Sequence, residues 1–202
     1  MDRLDDMDHR SLGGTDHRSL GGTDRRSLRG AERRNLSGTE RRILSAFHAR
    51  GRDPRVATAA RALSWAGEHG ALWLAAGLAG AAVDGGRRGV WLRGTALTAG
   101  AHLLSMGVKR VVRRPRPAHV TPLVRTVGRH SFPSSHATSA TAAAVAYGAL
   151  GAYVIPPLAA AMCVSRLVVG VHYPSDVAAG AALGALTACV GAGWMRRGST
   201  HD

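Results

Sequence analysis

The last apolar segment of this chain, residues 177–194, contains no charged residue in 18 positions. A helix of a soluble protein would carry a polar face over that length, whereas a helix that crosses a bilayer needs about 20 predominantly apolar residues. Four earlier segments have a similar composition and cover residues 56–83, 89–108, 136–155 and 158–171; all but 136–155 are interrupted by isolated charges. We therefore predict an all-α fold, a polytopic membrane helical bundle with about five transmembrane helices.

Small residues are abundant in these segments, and two glycines in the last one have a regular spacing. Gly180 and Gly184 lie four residues apart, which places them on one face of a helix. In lipid, small residues on such a face allow two helix backbones to approach closely. We therefore predict that this helix packs tightly against a neighbour along that face.

The N-terminal part of the chain has a different texture, because it is built from an octapeptide repeat. Residues 8–15 are repeated at residues 16–23, and three degenerate copies follow. Eight residues advance a helix by about 800°, so the repeated Leu would spiral instead of forming an apolar stripe. Because apolar residues are few and Gly-Gly pairs recur, we predict a disordered tail, 1–46, followed by a membrane-embedded domain, 47–202. A membrane-surface or partner-binding arm is the alternative for the tail.

The net charge of +14 would suit a nucleic-acid-binding protein, so its distribution along the chain matters. The first 46 residues are nearly balanced, with ten Arg against eight acidic residues, whereas the rest carries 17 basic against five acidic residues. The basic surplus therefore lies between the apolar segments, where a bilayer surface or an anionic substrate would meet it. We predict the lipid bilayer and a membrane lipid substrate as partners, and no nucleic acid. The sequence carries no signal for oligomeric state.

Three motifs carry the polar residues that apolar helices do not explain. They are Lys109 to Arg116-Pro117, then Pro133-Ser134-Ser135-His136, then Ser165-Arg166 through His172 to Asp176. In spacing and order they resemble the motifs of the type-2 phosphatidic acid phosphatase superfamily: Lys, six residues, Arg-Pro; Pro-Ser-Gly-His; and Ser-Arg, five residues, His, three residues, Asp. The resemblance covers residues 56–195, with Ser135 at the usual glycine position. It implies a membrane-embedded phosphoric monoester hydrolase.

Hydrolysis of a phosphate ester requires a nucleophile, positive charge and a proton for the leaving group. Neutral imidazole is a competent nucleophile near pH 7, which makes His172 the candidate, and Asp176 can hold its tautomer. His136 is the candidate proton donor. The resemblance implies the same three catalytic roles, and it implies a phosphate-binding set that consists of Lys109, Arg116, Ser134, Ser135 and Arg166.

Acidic residues are too scarce to suggest a metal centre. From residue 56 onward they are Glu68, Asp84, Asp176 and Asp202, and only Asp176 lies in a motif. Metal-dependent phosphatases need clustered carboxylates or histidines as ligands. We therefore predict no metal and no other cofactor.

Within the superfamily, residues 63–70 and the Pro-Ser-Ser-His variant resemble the actinobacterial decaprenyl-phosphoryl-5-phosphoribose phosphatases. This resemblance implies hydrolysis of a phosphate ester on a polyprenyl-linked lipid, in cell-wall arabinan precursor synthesis, through a phosphohistidine intermediate. The alternatives are a polyprenyl diphosphate phosphatase and a phosphatidic acid or phosphatidylglycerophosphate phosphatase. A vanadate-dependent haloperoxidase is disfavoured by the short apolar core. A basic membrane protein that binds anionic lipid is the non-enzymatic alternative.

The location of the active site follows from the distribution of arginines. If the Arg-rich tail lies in the cytoplasm, two spans separate it from Lys109, so the tail and the motifs share a face of the membrane. The connection that contains the first two motifs and the connection around residues 172–176 also emerge on one side when the spans alternate. We predict a multi-pass protein of the cell (plasma) membrane with a cytoplasmic active site.

Overall fold

The computed structural model of the protein describes residues 37–126 and 128–197. The chain divides into two units, Met1–Gly38 and Thr39–Asp202, and the description below concerns the second. Its helices, each followed by its bounds, are α1 (37–50), α2 (Pro54–Ala66), α3 (Ala71–Val83), α4 (Arg88–Val112), α5 (Ser135–Gly148), α6 (Ile155–Val168) and α7 (Pro174–Arg196). Short 3-10 turns, Glu68–Gly70 and Gly85–Arg87, precede α3 and α4. The described residues contain no β-strand, and the all-α prediction is confirmed.

The first helix covers part of the segment that we predicted to be disordered. Residues 37–50 are helical, and Leu44 is fully buried against apolar residues of α5, α6 and α7. The physical reason lies in the last copy of the repeat, residues 40–47, where Ser-Ala replaces Gly-Gly and Ile43 and Phe47 add apolar surface. The rest of the predicted tail, residues 1–36, lies outside the described residues.

Two of the five apolar segments predicted as spans, 56–83 and 136–155, form helices shorter than the segments themselves. Of the helices in the described part of the chain, only α7 is both long and apolar enough to cross a bilayer unaided. α3 and α5 have 13 and 14 residues, or about 20 Å each, against about 30 Å of hydrocarbon. The predicted segment 56–83 is divided because the backbone turns at Glu68–Gly70. On α7, Leu186 and Val190 are exposed, as lipid contact requires.

The tightest packing in the bundle joins α7 to α5. A Cβ atom at Gly184 would lie 2.1 Å from the carbonyl oxygen of Thr138, and one at Gly180 would lie 2.5 Å from that of Ser134. These distances are below van der Waals contact, so only glycine permits the two backbones to lie this close. The predicted close packing along this face is confirmed.

The helix order brings the motifs to one end of the bundle. α4 and α6 end there, and α5 and α7 begin there, so the connection between α4 and α5 meets the short connection between α6 and α7. Backbone hydrogen bonds join the two connections: Leu123 N–H donates to the Val169 carbonyl at 3.0 Å, and Ser134 N–H donates to the Asp176 carbonyl at 2.9 Å. At the other end of α5, the core contains Trp73 and Tyr147, both fully buried.

Candidate active site

A cavity of about 350 Å³ lies at this end of the bundle, and we refer to it as the motif cavity. Its lining includes six of the eight site residues predicted from the sequence, which are Lys109, Arg116, Ser135, His136, Arg166 and His172. All three motifs are therefore represented in one cavity. Asp176 and Ser134 are not among the lining residues, and both lie at the first turn of a helix that borders it.

His172 is held in the connection between α6 and α7 and is 2 % exposed. Burial lowers the pKa of its imidazole to about 3, and the nearby guanidinium groups of Arg166 and Arg116 act in the same direction. The Asp176 carboxylate opposes this shift, but its Oδ2 lies 3.7 Å from His172 Nδ1, beyond hydrogen-bonding distance. His172 is therefore neutral near pH 7, the state in which an imidazole acts as a nucleophile.

Asp176 is fully buried at the start of α7, where Pro174 occupies the first helical turn. Its Oδ2 accepts a hydrogen bond from the backbone N–H of Tyr173 at 2.8 Å, and its Oδ1 accepts one from Arg114 Nη1 at 2.8 Å. Two donors thus fix the carboxylate plane, and a buried carboxylate needs such partners to remain charged. The arrangement leaves Oδ2 facing the Nδ1 edge of His172.

Three cationic side chains of the motifs face the cavity. Arg116 is clamped by the loops, because its Nε donates to the Gly128 carbonyl at 2.8 Å and its Nη1 to the Val171 carbonyl at 2.9 Å. Arg166 is 3 % exposed, and its Nε has no hydrogen-bond partner. Lys109 adds a third positive charge from the last turn of α4. Fixed guanidinium groups and a lysine point charge suit a phosphoryl dianion.

The N-terminus of α5 supplies the remaining predicted residues. Ser134 is the N-cap, and its hydroxyl accepts a hydrogen bond from the N–H of Ala137 at 3.4 Å. Ser135 and His136 follow in the first turn, and both line the cavity. His136 Nε2 lies 3.1 Å from the Ser64 carbonyl oxygen, which can only accept, so the proton of the neutral ring is on Nε2. Its Nδ1 is then the atom that can receive or deliver a proton.

Several residues of the site were missed by the sequence analysis. Ser64 joins two predicted residues, because its hydroxyl accepts a hydrogen bond from Arg166 while its carbonyl contacts His136. Arg114, which lies inside the first motif but was not among the predicted site residues, pairs with Asp176. A third set, here named the polar wall, lines the same cavity and consists of Glu68, His69 and His102. These polar residues interrupt apolar segments, which is the one signal that could have revealed them.

The described residues contain no group of three or more His, Cys, Asp or Glu side chains that could hold a metal ion. The positive charges around the motif cavity come from side chains of the chain itself, including Lys109, Arg116 and Arg166. A helical bundle with such a cavity at its helix ends has the features of an enzyme that acts on an anionic substrate.

The chain belongs to the PAP2 superfamily, whose sequence pattern matches residues 90–199. It is 48% identical over 134 residues to the decaprenylphosphoryl-5-phosphoribose phosphatase of Mycolicibacterium smegmatis, covering 63% of this chain and 72% of that protein. It is 44% identical over 144 residues to the protein of the same name from Mycobacterium tuberculosis, covering 68% and 79%. The predicted family and enzyme class, a lipid phosphatase that hydrolyses phosphoric monoesters, are confirmed.

A solved structure has the same fold. The crystal structure of a transmembrane PAP2 type phosphatidylglycerolphosphate phosphatase from Bacillus subtilis aligns with a TM-score of 0.51 and 22% identity, covering 81% of this chain and 98% of that one. At this identity the alignment supports the helical architecture. Together with the relatives, it indicates a membrane protein.

Proposed function

We propose that this protein removes the phosphate group from decaprenylphosphoryl-5-phosphoribose, a polyprenyl-linked lipid, in the synthesis of a cell-wall arabinan precursor. One observation carries the proposal: residues of all three motifs line a single cavity, with a buried neutral histidine among cationic side chains. The names of the two mycobacterial relatives provide the specific substrate. The roles assigned below to individual residues are part of the proposal.

The first chemical step is attack by His172 on phosphorus. Because Nδ1 faces Asp176, Nε2 is the attacking atom, and a P–N bond forms as the bond between phosphorus and the ribose 5-oxygen breaks. The developing imidazolium is stabilised by the Asp176 carboxylate. The phosphoryl oxygens are bound by Lys109, Arg116 and Arg166. The start of α5 adds the Ser134 hydroxyl and the N–H of Ser135, because a helix N-terminus attracts anions.

The second step regenerates the enzyme. The bound phosphoryl dianion favours the imidazolium form of His136, protonated at Nδ1 as well as Nε2. His136 delivers the Nδ1 proton to the departing ribose alkoxide and becomes neutral, so Nδ1 can then take a proton from water. That water attacks the phosphohistidine, the P–N bond breaks, and inorganic phosphate leaves with His172 restored. No step requires a metal ion or another cofactor, and we propose that none is used.

The polar wall supports a leaving group that carries hydroxyls. Glu68 is an acceptor, and His102 Nδ1 is buried without a hydrogen-bond partner, so both have unused capacity for hydroxyl groups. A smaller cavity of about 150 Å³ shares His69 and His102 with the motif cavity and includes Leu74 and Leu103 in its lining. A ribose would find hydrogen-bonding partners in the polar wall, and an isoprenoid chain would find apolar contacts with Leu74 and Leu103. Polyprenyl diphosphate and phosphatidic acid, the alternative substrates, have no sugar to occupy the polar wall.

The test is phosphate release by detergent-purified protein in EDTA, with polyprenyl phosphoribose phosphate, polyprenyl diphosphate and phosphatidic acid as separate substrates. We expect the phosphoribose lipid to have the highest kcat/KM, and His172→Ala to abolish release. His130→Ala is the matched control, because His130 lies in the same connection as the first two motifs but outside the cavity lining. If His172→Ala releases phosphate like the wild type, the histidine mechanism is wrong, and the basic lipid-binding alternative gains support.

We further propose a multi-pass arrangement in the plasma membrane, in which about five spans are built on α3 to α7 and the motif cavity faces the cytoplasm. Support comes from the length of α7 and from the basic residues around the cavity. The test is labelling of intact cells with an impermeant maleimide, in a Cys163→Ala, Cys189→Ala background. Gly85→Cys and Ala118→Cys place exposed thiols at opposite ends of α4. Labelling of residue 85 alone is expected, and labelling of residue 118 alone would reverse the orientation.

We also propose that the protein does not bind nucleic acid through its N-terminal tail. The balanced charge of residues 1–46 supports a tail that does not bind nucleic acid. Gel-shift titration of the purified protein with duplex DNA at physiological salt is the check, and saturable binding would contradict this part.

A further inference from the structure

Arg114 lies between two carboxylates that come from distant parts of the chain. Its Nη1 donates to Asp176 Oδ1 at 2.8 Å, and its Nη2 donates to Glu40 Oε2 at 2.7 Å. Its side chain is 27% exposed, and those of Asp176 and Glu40 are 0% and 18% exposed. One guanidinium therefore connects α1 to the carboxylate behind His172, and its planar fork allows both contacts at once.

Glu40 is presented to Arg114 by the anchored face of α1. Leu44, one helical turn further on, is fully buried, and Phe47 packs against the same apolar cluster. His48 Nδ1 lies 2.9 Å from the Val168 carbonyl oxygen, to which it donates. Leu44, Phe47 and His48 lie on the same face of α1 as Glu40 and hold that face against the bundle. The position of Glu40 is therefore set by this packing as well as by its contact with Arg114.

Glu40 also contacts α7 directly. Its Oε1 accepts a hydrogen bond from the backbone N–H of Ser175 at 3.1 Å, next to Asp176 in the first turn of that helix. Arg114 lies over the Tyr173 ring, with its Cζ 4.2 Å from the ring centroid, and donates to the Ser175 hydroxyl at 2.6 Å. The pair therefore contacts three residues of the same turn, Tyr173, Ser175 and Asp176.

We propose that Glu40 and Arg114 are positioning residues of the active site, and that α1 acts on catalysis by holding Asp176 in register with His172. This inference rests on the proposed roles of Asp176 and His172. Neither positioning residue lines the motif cavity, so each acts through Asp176 and touches no substrate.

The charges explain why two carboxylates share one arginine. If Arg114 paired with Asp176 alone, it would neutralise the carboxylate that must stabilise the phosphohistidine imidazolium. Because Glu40 binds the second Nη of the Arg114 guanidinium, Arg114 neutralises less of the negative charge of Asp176. Partial burial lowers the pKa of Arg114, but hydrogen bonds and charge from Glu40 and Asp176 outweigh it, so the pKa is raised overall. Partial burial raises the pKa of Glu40, but donors on Ser175 and Arg114 outweigh it and lower that pKa. Both groups stay charged near pH 7.

The experiment is a double-mutant cycle on the full-length protein, with Glu40→Gln, Arg114→Gln and the double variant. Gln keeps an acceptor for the Ser175 N–H, so Glu40→Gln isolates the charged link to Arg114. We expect each single variant to lower kcat about 10-fold, with KM within about 2-fold of the wild type, because only the imidazolium-forming step is affected. In the Arg114→Gln background, Glu40→Gln should have no further effect. Arg114→Lys keeps the charge but cannot bridge both carboxylates, so it should not restore kcat.

Asp84→Asn is the matched control. It removes an acid–arginine ion pair with Arg87, 2.6 Å long, at the opposite end of α4, about 37 Å away along the helix. Its kcat should equal that of the wild type. Thermal unfolding of every variant is measured alongside, and Glu40→Asp, which keeps the charge with a shorter stem, replaces Glu40→Gln if the latter unfolds.

Two results would overturn the inference: a wild-type kcat in Glu40→Gln, or full additivity of the two substitutions. A raised KM beside a wild-type kcat belongs to the first result, because that pattern indicates lost binding. His172→Ala separates these outcomes from failure of the proposed function. If His172→Ala is inactive while Glu40→Gln is unaffected, only the positioning inference fails; if His172→Ala is active, the proposed function fails first.

Discussion

Replacing Gly184 by Ala tests the link between helix packing and catalysis. The added methyl group would lie 2.1 Å from the Thr138 carbonyl oxygen and 3.0 Å from the Ala142 backbone nitrogen. Ordinary contact begins near 3.4 Å, so α7 must move away from α5 by about 1 Å at this point. The obstacle is backbone, which cannot rotate aside as a side chain does. Overpacking of this kind costs about 1–3 kcal/mol.

The same movement disturbs the active site, because α5 carries His136 and α7 carries Asp176 at their first turns. A misplacement of about 1 Å between catalytic groups lowers rates by about 100-fold. The assay combines thermal unfolding in detergent with steady-state phosphate release. We expect Gly184→Ala to lower the Tm by several degrees, and to lower kcat by 10-fold to 100-fold, in round figures.

Gly193→Ala provides the matched control on the same helix. A Cβ atom at Gly193 meets nothing within 4 Å, and alanine is favoured over glycine in a helix by about 0.5–1 kcal/mol. This variant should therefore keep wild-type activity and be as stable as the wild type or slightly more so. If Gly184→Ala behaves like Gly193→Ala, the two backbones are not in contact and the packing argument is refuted.

Four further predictions follow from the geometry of the cavity. Burial holds the pKa of His172 to about 3, so kcat/KM should show no loss from its protonation between about pH 8 and pH 5. In the unfolded chain the pKa of this histidine is near 6.5, so its protonation favours unfolding. The contribution of His172 to the free energy of unfolding is therefore fully present above about pH 6.5 and declines as the pH falls toward 3. Denaturant titrations at each pH measure this free energy. Arg166→Lys should lower kcat/KM about 100-fold, because lysine cannot replace the buried guanidinium fork, and an unchanged value would remove Arg166 from the phosphate-binding set. Ser64→Ala leaves an Arg166 nitrogen without its acceptor and should lower kcat/KM about 10-fold, with Ser45→Ala as an exposed serine control. Vanadate should inhibit competitively in buffer without a chelator, because EDTA would bind the vanadate. In separate assays EDTA alone should leave the activity unchanged, and restoration of activity by a divalent cation after EDTA treatment would contradict the metal-free mechanism.

The motif residues could be predicted because the chemistry restricts both their types and their spacing. His172 and Asp176 lie four residues apart, so a turn leading into a helix brings them to the 3.7 Å approach seen here. Alternation of helix direction along the chain then places Lys109 and Arg166 at the same end as His136. Local spacing and connectivity are both read directly from a sequence.

Glu40 and Ser64 could not be predicted in the same way. Glu40 is 74 residues from Arg114, and Ser64 is 102 residues from Arg166, so no local pattern joins either pair. The repeat favoured the opposite expectation for α1, because every copy has the Leu that corresponds to Leu44 but only the copy at residues 40–47 adds Ile43 and Phe47. The available signal was that this copy has neither glycine, whereas the copies at residues 24–31 and 32–39 each keep one.

Two residues of the polar wall interrupt an apolar segment that was predicted to span the membrane. Glu68 and His69 lie within residues 56–83, and in a continuous spanning helix they would face hydrocarbon at a cost of several kcal/mol, roughly. The structure turns the chain there, with φ of 53° at His69 and 77° at Gly70, left-handed values that end α2 and start α3. The turn takes both polar side chains out of the span and into the motif cavity. A positive φ at a histidine is strained, and strain of this kind is concentrated at functional sites. The same residues that weaken the prediction of a span are therefore the ones expected to distinguish the leaving group.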